Sequence, residues 1–228
     1  VLKTDKHIIF PYKRDGSLIN VEIIKKEYPR TYQYLQDCYD LLVPKCLNGG
    51  KGRDIKNATA DTWYQYGRTQ ALTAFVDTPK LIVRILSKEP MYAYDENDML
   101  IASGGTAGYC AIAKLPGSKY DLRYIQAWLN HPYTEKIFQI MGSDFEGGFT
   151  ARGTYLLKKI PFVELDFDDE KQKALYESVL TSTKKINELN IVLEQKKDKA
   201  SISVIEAEKE NLSKQIEDNI TKIYNLQF

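Results

Sequence analysis

The sequence predicts an α+β fold, in which a β-rich lobe with short helices precedes a C-terminal antiparallel hairpin of two long helices. Short apolar segments separated by glycine-containing turns fill the first part of the chain and are typical of strands. From residue 168 to residue 225 there is no proline or glycine, and apolar residues recur at helical spacing. We therefore divide the chain into domains 1–167 and 168–228.

The N-terminal part is predicted to hold a strand pair and a helix. Residues 7–12 and 18–21 are short apolar runs, and the Asp-Gly pair at 15–16 supplies the positive φ that a tight hairpin requires. A Tyr-Pro pair then starts a helix over residues 28–42, with apolar side chains on one face. The glycines at 48–52 predict a flexible basic loop.

The middle of the chain is predicted to form short strands that alternate with turns. Its apolar runs are brief and are bounded by glycine, proline or charged residues. The predicted elements are a turn with a short helix at 63–75, strands at 80–86, 91–95, 99–102 and 109–113, a helix at 122–129, a loop at 143–149 and an edge strand or extended segment at 160–162.

Two helices of about 25 residues each are predicted at the C-terminus. The prediction rests on two apolar stripes, Leu175, Val179, Ile186, Leu189 and Leu193 in the first helix and Ile205, Leu212, Ile216, Ile220 and Ile223 in the second. A polar break near 197–203 separates them, so the helices should fold back on each other. A dimerising coiled coil is the alternative.

The sequence lacks the motifs of common enzyme classes. It has no phosphate-binding Gly-Lys-Ser/Thr loop, no His-Glu-x-x-His metal motif and no Gly-x-Ser-x-Gly turn. The glycines at 103–108 lack dinucleotide-binding spacing, and no Asn/Asp-Pro-Pro-Tyr/Phe loop for amino-methyl transfer occurs. The acidic run at 164–170 is interpreted as a helix cap rather than a metal site. We expect no catalytic centre, cofactor or metal in this chain.

Cysteine usage and charge indicate a cytoplasmic protein with a locally positive segment. Three cysteines without a CxxC pair predict neither a disulfide framework nor a zinc site, which fits a cytoplasmic protein. No apolar run approaches the roughly 18 residues of a membrane span. The net charge is only +1, but residues 45–84 hold seven basic and three acidic side chains. A local excess of this kind suits contacts with phosphates.

Loops that combine cations, amides and glycines are the candidate binding elements. Residues 63–70 hold three aromatic rings, two amides and an arginine, and arginine and glutamine match guanine and adenine edges. The glycines at 103–109 allow a close backbone approach to a ligand. The predicted contact residues are Lys51, Arg53, Tyr64, Arg68, Gln70, Ser103, Thr106 and Arg152. The alternatives are that Trp63 and Tyr66 form core, that Arg68 pairs with an acid, and that the glycines at 103–109 mark a plain strand turn.

An ordered set of short motifs resembles the TaqI-like C-terminal specificity domain of adenine-specific DNA methyltransferases and Type IIG restriction enzymes. The motifs are His7-Ile8-Ile9-Phe10-Pro11-Tyr12, Tyr28-Pro29 with Tyr34-Leu35, Trp63-Tyr64-x-Tyr66-Gly67-Arg68-x-Gln70, Pro79-Lys80-Leu81-Ile82-Val83, Tyr92-Ala93-Tyr94-Asp95, Gly104-Gly105, residues 125–130, Ile160-Pro161 and Ile223-Tyr224-Asn225-Leu226. The resemblance implies a lobe that grips duplex DNA and reads its bases, while a methyltransferase domain flips out an adenine for N6 methylation. S-adenosylmethionine would then be the cofactor of the parent enzyme.

Two hypotheses about function follow. The first is recognition of double-stranded DNA as the specificity domain of a restriction–modification enzyme, whose partner is an upstream methyltransferase domain of the same chain or a partner subunit. In this hypothesis the sequence, which begins at Val1, is a part of a longer protein. The second is a scaffold or oligomerisation domain that acts through the C-terminal helices.

Overall fold

The computed structural model confirms the α+β class and contains two compact units, Leu2–Val76 and Asp77–Phe228. It describes residues 8–67, 69, 72–73, 75–96, 99, 108–142 and 147–225. The functional boundary between 167 and 168 stays a prediction.

The predicted strand pair at the start of the Leu2–Val76 unit is reduced to one antiparallel bridge between Tyr12 and Leu18. The turn itself forms as predicted, because Gly16 adopts a φ of +83° and its N–H donates to the carbonyl of Lys13. The second strand does not extend, since the Asn20 side chain accepts a hydrogen bond from the backbone N–H of Glu22 and starts a helix there.

The α-helices described in this unit are short. They are α1 (Val21–Glu27), α2 (Pro29–Asp37) and α3 (Tyr39–Leu42). The predicted helix over 28–42 is therefore present but is interrupted at Cys38. The core consists of Ile24, Leu35, Trp63 and Tyr64. The described residues of 63–75 form turns and no helix, so the short helix predicted there is wrong for that part of the chain.

The Asp77–Phe228 unit contains two small antiparallel sheets. Its strands are β1 (Lys80–Arg84), β2 (Leu86–Ser87), β3 (Tyr92–Asp95), β4 (Tyr109–Ala113) and β5 (Thr150–Ala151). The larger sheet has the order β3-β1-β4, and β2 pairs with β5 in the smaller one. The predicted strands at 80–86, 91–95 and 109–113 are confirmed to within a few residues. The strand predicted at 99–102 lies, apart from Met99, outside the described residues.

The shorter helices of this unit are α4 (Leu122–Asn130), α5 (Pro132–Met141) and α6 (Thr154–Leu157). Helix α4 covers one face of the larger sheet, whereas α5 contacts β5 of the smaller sheet. Leu81 and Val83 of β1 are fully buried in the same core as Trp128 and Leu129 of α4. Helix α4 was predicted, whereas α5 and α6 were not. The segment at 160–162 is irregular rather than a strand.

The two long C-terminal helices are confirmed as α7 (Glu170–Gln195) and α8 (Lys199–Tyr224), which pack as a hairpin. The Asp169 carboxylate accepts the N–H groups of the first turn of α7, as the cap interpretation predicted. Asp198 caps α8 in the same way. No helix in the described part of the chain is long and apolar enough to cross a membrane.

Two side-chain amides connect the hairpin to the sheet. Asn187 of α7 donates to Gln126 of α4 at 2.9 Å, and Gln126 donates to the carbonyl of Tyr92 in β3 at 2.8 Å. Gln126 is buried, so both bonds form in a low-dielectric environment where a mismatched partner would be costly. This amide relay fixes how α7 and α4 lie on the edge strand.

Candidate functional site

Four of the eight predicted contact residues lie outside the described residues. These are Arg68, Gln70, Ser103 and Thr106. The other four divide into one exposed residue and three whose polar groups are engaged by the fold.

Lys51 is exposed on a loop whose shape depends on glycine. Gly49, Gly50 and Gly52 have φ values of +55°, +87° and +119°. A Cβ at Gly52 would lie 2.1 Å from the carbonyl oxygen of Val43, so no other residue fits there without moving the backbone. The loop closes where the N–H of Arg53 donates to Val43 at 3.1 Å. Lys51 is therefore presented to solvent by a constrained rather than a loose turn.

The Arg53 side chain points into its own unit. Its guanidinium donates to the backbone carbonyls of Leu42, of Gln65 at 2.9 Å and of Trp63 at 2.6 Å. Burial lowers the pKa of Arg53 from its usual value, because desolvation disfavours the charged form. These bonds tie the 53–65 segment to α3, which gives Arg53 a structural role.

Tyr64 is also a core residue, with only 4% of its surface exposed. Its hydroxyl donates to the carbonyl of Ile19, and burial raises its pKa to about 12. The neighbouring Tyr66 donates its hydroxyl to the carbonyl of Ile9 at 2.5 Å. Tyr64 and Tyr66 thus hold the N-terminal segment in place, although the core alternative had included only Trp63 and Tyr66.

Arg152 is fully buried and makes a bidentate ion pair. Its Nη2 and Nε donate to the Glu135 carboxylate at 2.5 and 3.0 Å. Its Nη1 donates to the Ser87 carbonyl at 2.9 Å and to the Ser87 hydroxyl at 2.8 Å. The guanidinium therefore joins α5 to β2, and it offers no surface to a ligand.

The structure reveals a cation that was not among the predicted contacts. The pleat places Leu81 and Val83 towards α4, and Ile82 and Arg84 on the opposite side of the larger sheet. We call this side the outer sheet face; it consists of Lys80, Ile82, Arg84, Ala93, Asp95, Tyr109, Ala111 and Ala113.

The two ends of the outer sheet face differ in charge. At one end Lys80 and Asp95 are directly opposite each other and form a buried ion pair with an N–O distance of 2.7 Å. At the other end Arg84 is exposed beside Tyr109, which is 40% exposed. Within the described part of the chain no carboxylate lies in salt-bridge distance of Arg84; its Nη1 contacts only the Met91 sulfur at 3.8 Å. Arg84 is therefore available to an external anion.

The chain leading into this end of the sheet carries two predicted contacts. Gly108 precedes β4, and its carbonyl accepts the N–H of Ile85 at 3.1 Å. Thr106 lies two residues before Gly108 in the sequence, and Ser103 five residues before it.

Among the described residues, no group of three or more His, Cys, Asp or Glu side chains is placed to hold a metal ion.

Comparison with known proteins relates the chain to restriction–modification enzymes. No family model matches the sequence. The Type II restriction enzyme and methyltransferase RM.Eco57I of Escherichia coli is 33% identical to it over 231 residues. The alignment covers 99% of this chain and 22% of that protein, so the chain spans about a fifth of its relative's length. The chain is related to one segment of a restriction–modification enzyme.

Proposed function

We propose that the chain is the target recognition segment of a restriction–modification enzyme, that it binds double-stranded DNA sequence-specifically, and that it holds no catalytic centre. The observation that carries the proposal is the alignment of nearly the whole chain with one fifth of a restriction enzyme and methyltransferase. A segment that lacks methyltransferase motifs and belongs to such an enzyme is suited to reading DNA. Methyl transfer from S-adenosylmethionine would then belong to an upstream domain or a partner subunit.

Exposed cations on each unit support DNA contact. Lys51 stands on its glycine loop and Arg84 on the outer sheet face, and within the described residues neither is in an ion pair. Cations of this kind bind phosphates and fix register, while amides and hydroxyls on nearby loops read base edges. We assign Lys51 and Arg84 to contact, and we retain Arg68, Gln70, Ser103 and Thr106 as predicted contacts. Tyr64 and Arg152 act through the fold instead, and we assign Arg53 no contact with the duplex, because it bonds to carbonyls of its own unit.

Titration of the purified chain with fluorescent duplex DNA tests the proposal. We expect a nonspecific Kd of about 10⁻⁴ to 10⁻⁶ M at physiological salt, with log affinity falling linearly as log salt rises. Selection from a random-sequence duplex library should then enrich one motif, bound about 10³-fold tighter or more. An affinity independent of salt, or a library that stays random after selection, would overturn the proposal.

Substitutions separate phosphate contacts from general loss of charge. Lys51→Ala and Arg84→Ala should each reduce the slope of the salt dependence by about 0.9, if each side chain neutralises one phosphate. Lys197→Ala removes an equally exposed lysine from the turn of the helical hairpin and should leave the slope unchanged. Equal effects of all three substitutions would show that only net charge matters.

A second candidate function is docking through the helical hairpin. Near its outer end Ile191, Val192 and Val204 are 47%, 38% and 69% exposed, and exposed apolar patches are typical of interaction surfaces. Sedimentation equilibrium of the chain tests this function. A dimer that is lost in Ile191→Ser with Val204→Ser, but retained in the control Ile140→Ser, would support a scaffold.

A further inference from the structure

A groove on the Leu2–Val76 unit combines an apolar lining with two arginines. Its volume is about 620 Å³, within the roughly 300–1,000 Å³ typical of small-ligand sites. Aliphatic side chains and Pro11 form much of the lining, and its polar members are Arg30, Thr31, Arg53 and the three tyrosines Tyr34, Tyr64 and Tyr66. No carboxylate is among the described residues that line it. The groove is therefore apolar and positively charged at once.

The charge of Arg53 is not neutralised by any described residue. Its guanidinium is half-buried and bonds to three neutral carbonyl oxygens. A guanidinium has five N–H donors, so two are left without an acceptor among the described residues. Buried charges in proteins are normally paired, because an isolated one is costly to desolvate. A fixed, unpaired cation that lines a groove marks a place for an anion.

Arg30 and Tyr34 extend the site at its mouth. They are one helical turn apart on α2, so they project from the same side of the helix. Arg30 is exposed, and Tyr34 is 58% exposed. The groove thus offers one rigid cation inside, one adaptable cation at the rim and an accessible aromatic ring.

We propose that this groove binds a nucleotide, with the phosphate held by Arg30 and Arg53 and the base against Tyr34 and the apolar lining. A bare inorganic anion would leave the apolar lining in water, and a purely apolar ligand would leave the guanidinium unpaired. A nucleotide has both parts, since its phosphate accepts charge-assisted hydrogen bonds from arginine and its flat base stacks on aromatic rings. Three tyrosines in the lining favour an aromatic body over an aliphatic one.

The nucleotide site does not depend on duplex recognition. Bases of an intact duplex are stacked inside the helix and cannot enter a groove on a protein surface. The ligand is therefore a free nucleotide or one that lies outside the helix. Loss of nucleotide binding would leave the duplex affinity conferred by Lys51 and Arg84 unchanged, so the two proposals fail independently.

Calorimetric titration of the full chain with thymidine 5′-monophosphate tests the site, with thymidine and inorganic phosphate as partial ligands. We expect the monophosphate to bind at least tenfold tighter than either part. Arg30→Ala should weaken the monophosphate by roughly three- to tenfold, the size of one lost charge-assisted bond at a solvent-exposed position. The affinity for thymidine should not change. Lys26→Ala, which removes an exposed lysine outside the groove lining, is the matched control and should have no effect.

A second variant and two competing ligands distinguish the nucleotide from other occupants. Tyr34→Ala should weaken the monophosphate but leave inorganic phosphate unaffected; both Arg30 and Tyr34 are exposed, so the variants should fold. Inorganic phosphate that binds as tightly as the monophosphate would mean a simple anion site. Tighter binding of a blocked leucyl-glutamate dipeptide would assign the groove to an acidic peptide. Either result, or no binding of the monophosphate, would overturn the proposal.

Discussion

Replacing Arg152 by methionine tests whether this arginine belongs to the fold or to a ligand site. Methionine keeps much of the aliphatic volume but removes the guanidinium. In the native chain that group makes two bonds to the Glu135 carboxylate, two to Ser87 and one to the carbonyl of Thr150 at 3.1 Å. The Arg152 side chain is fully buried and that of Glu135 is only 14% exposed, so solvent can replace few of these bonds.

The expected loss of stability in Arg152→Met is set by the Glu135 carboxylate, which stays in place without its partner. Removing one partner of a buried ion pair leaves the other charge unpaired, which typically costs about 3–5 kcal/mol of unfolding free energy. In a body of the size of Asp77–Phe228, 1 kcal/mol corresponds to about 2–4 °C in Tm. We therefore expect Tm to fall by roughly 6–20 °C, with the largest part of the loss coming from Glu135.

Urea unfolding followed by circular dichroism measures the loss of unfolding free energy, and a thermal melt measures the fall in Tm. Arg123→Met is the matched control. Arg123 makes a bidentate pair with Asp121, but its side chain is 26% exposed, so we expect a loss of at most about 1 kcal/mol there. Glu135→Gln combined with Arg152→Met should recover part of the stability, because no buried charge is then left over. A loss below about 1 kcal/mol in Arg152→Met, together with weaker DNA binding by the folded protein, would refute the structural role.

Three further substitutions test the loop, a buried histidine and the hairpin. Gly52→Ala should destabilise the Leu2–Val76 unit by at least about 2 kcal/mol in urea unfolding, because its φ is positive and the new Cβ would meet the carbonyl of Val43. Gly50 also has a positive φ but has open space around it, so Gly50→Ala should cost only about 1 kcal/mol. His131 has a lowered pKa because it is buried, so its contribution to stability is present above the unfolded-state pKa of about 6.5 and is lost as the pH falls through the folded-state value. His131→Asn keeps an acceptor for the N–H of Tyr133 and should flatten that pH dependence of unfolding, and an unchanged profile would assign it to other groups. Ile220→Ala should cost about 2–5 kcal/mol in the same assay, whereas Ile191→Ala should be near neutral, because Ile220 is fully buried and Ile191 is 47% exposed.

The long helices were predictable because their signal is local and repeated. Fifty-eight residues without proline or glycine, with two apolar stripes and an aspartate before each helix, leave few other structures open. The short elements were harder. Asn20 can end a strand or cap a helix. In the structure its side chain accepts a hydrogen bond from the backbone N–H of Glu22, so it caps helix α1. His131 and Pro132 form the start of α5, but the signal is a single cap with a proline at the first helical position.

The binding residues were less predictable, because composition does not reveal burial. Arg53, Tyr64 and Arg152 have the side chains expected of a DNA surface, yet each meets hydrogen-bond partners inside the fold that lie at least ten residues away in the sequence. Arg84 is the last residue of an apolar strand, and the sequence gives no sign that its side chain is available for binding. Only the pairing of β1 with β4 places it beside Tyr109. Long-range strand register is not encoded in a local pattern.

The geometry of α7 makes the C-terminal hairpin a lever. A helix of 26 residues is about 39 Å long, so a tilt of about 5° at its packed end moves the other end by roughly 3 Å. The hydrogen bonds from Asn187 through Gln126 to Tyr92 resist tilts that carry Asn187 away from α4, since such a tilt stretches one of them. A body attached near Ile191 and Val204 is thereby held at a set distance and angle from the strand next to Arg84. The packing of α7 on α4, together with this pair of amides, therefore sets the spacing between the sheet and the far end of the hairpin.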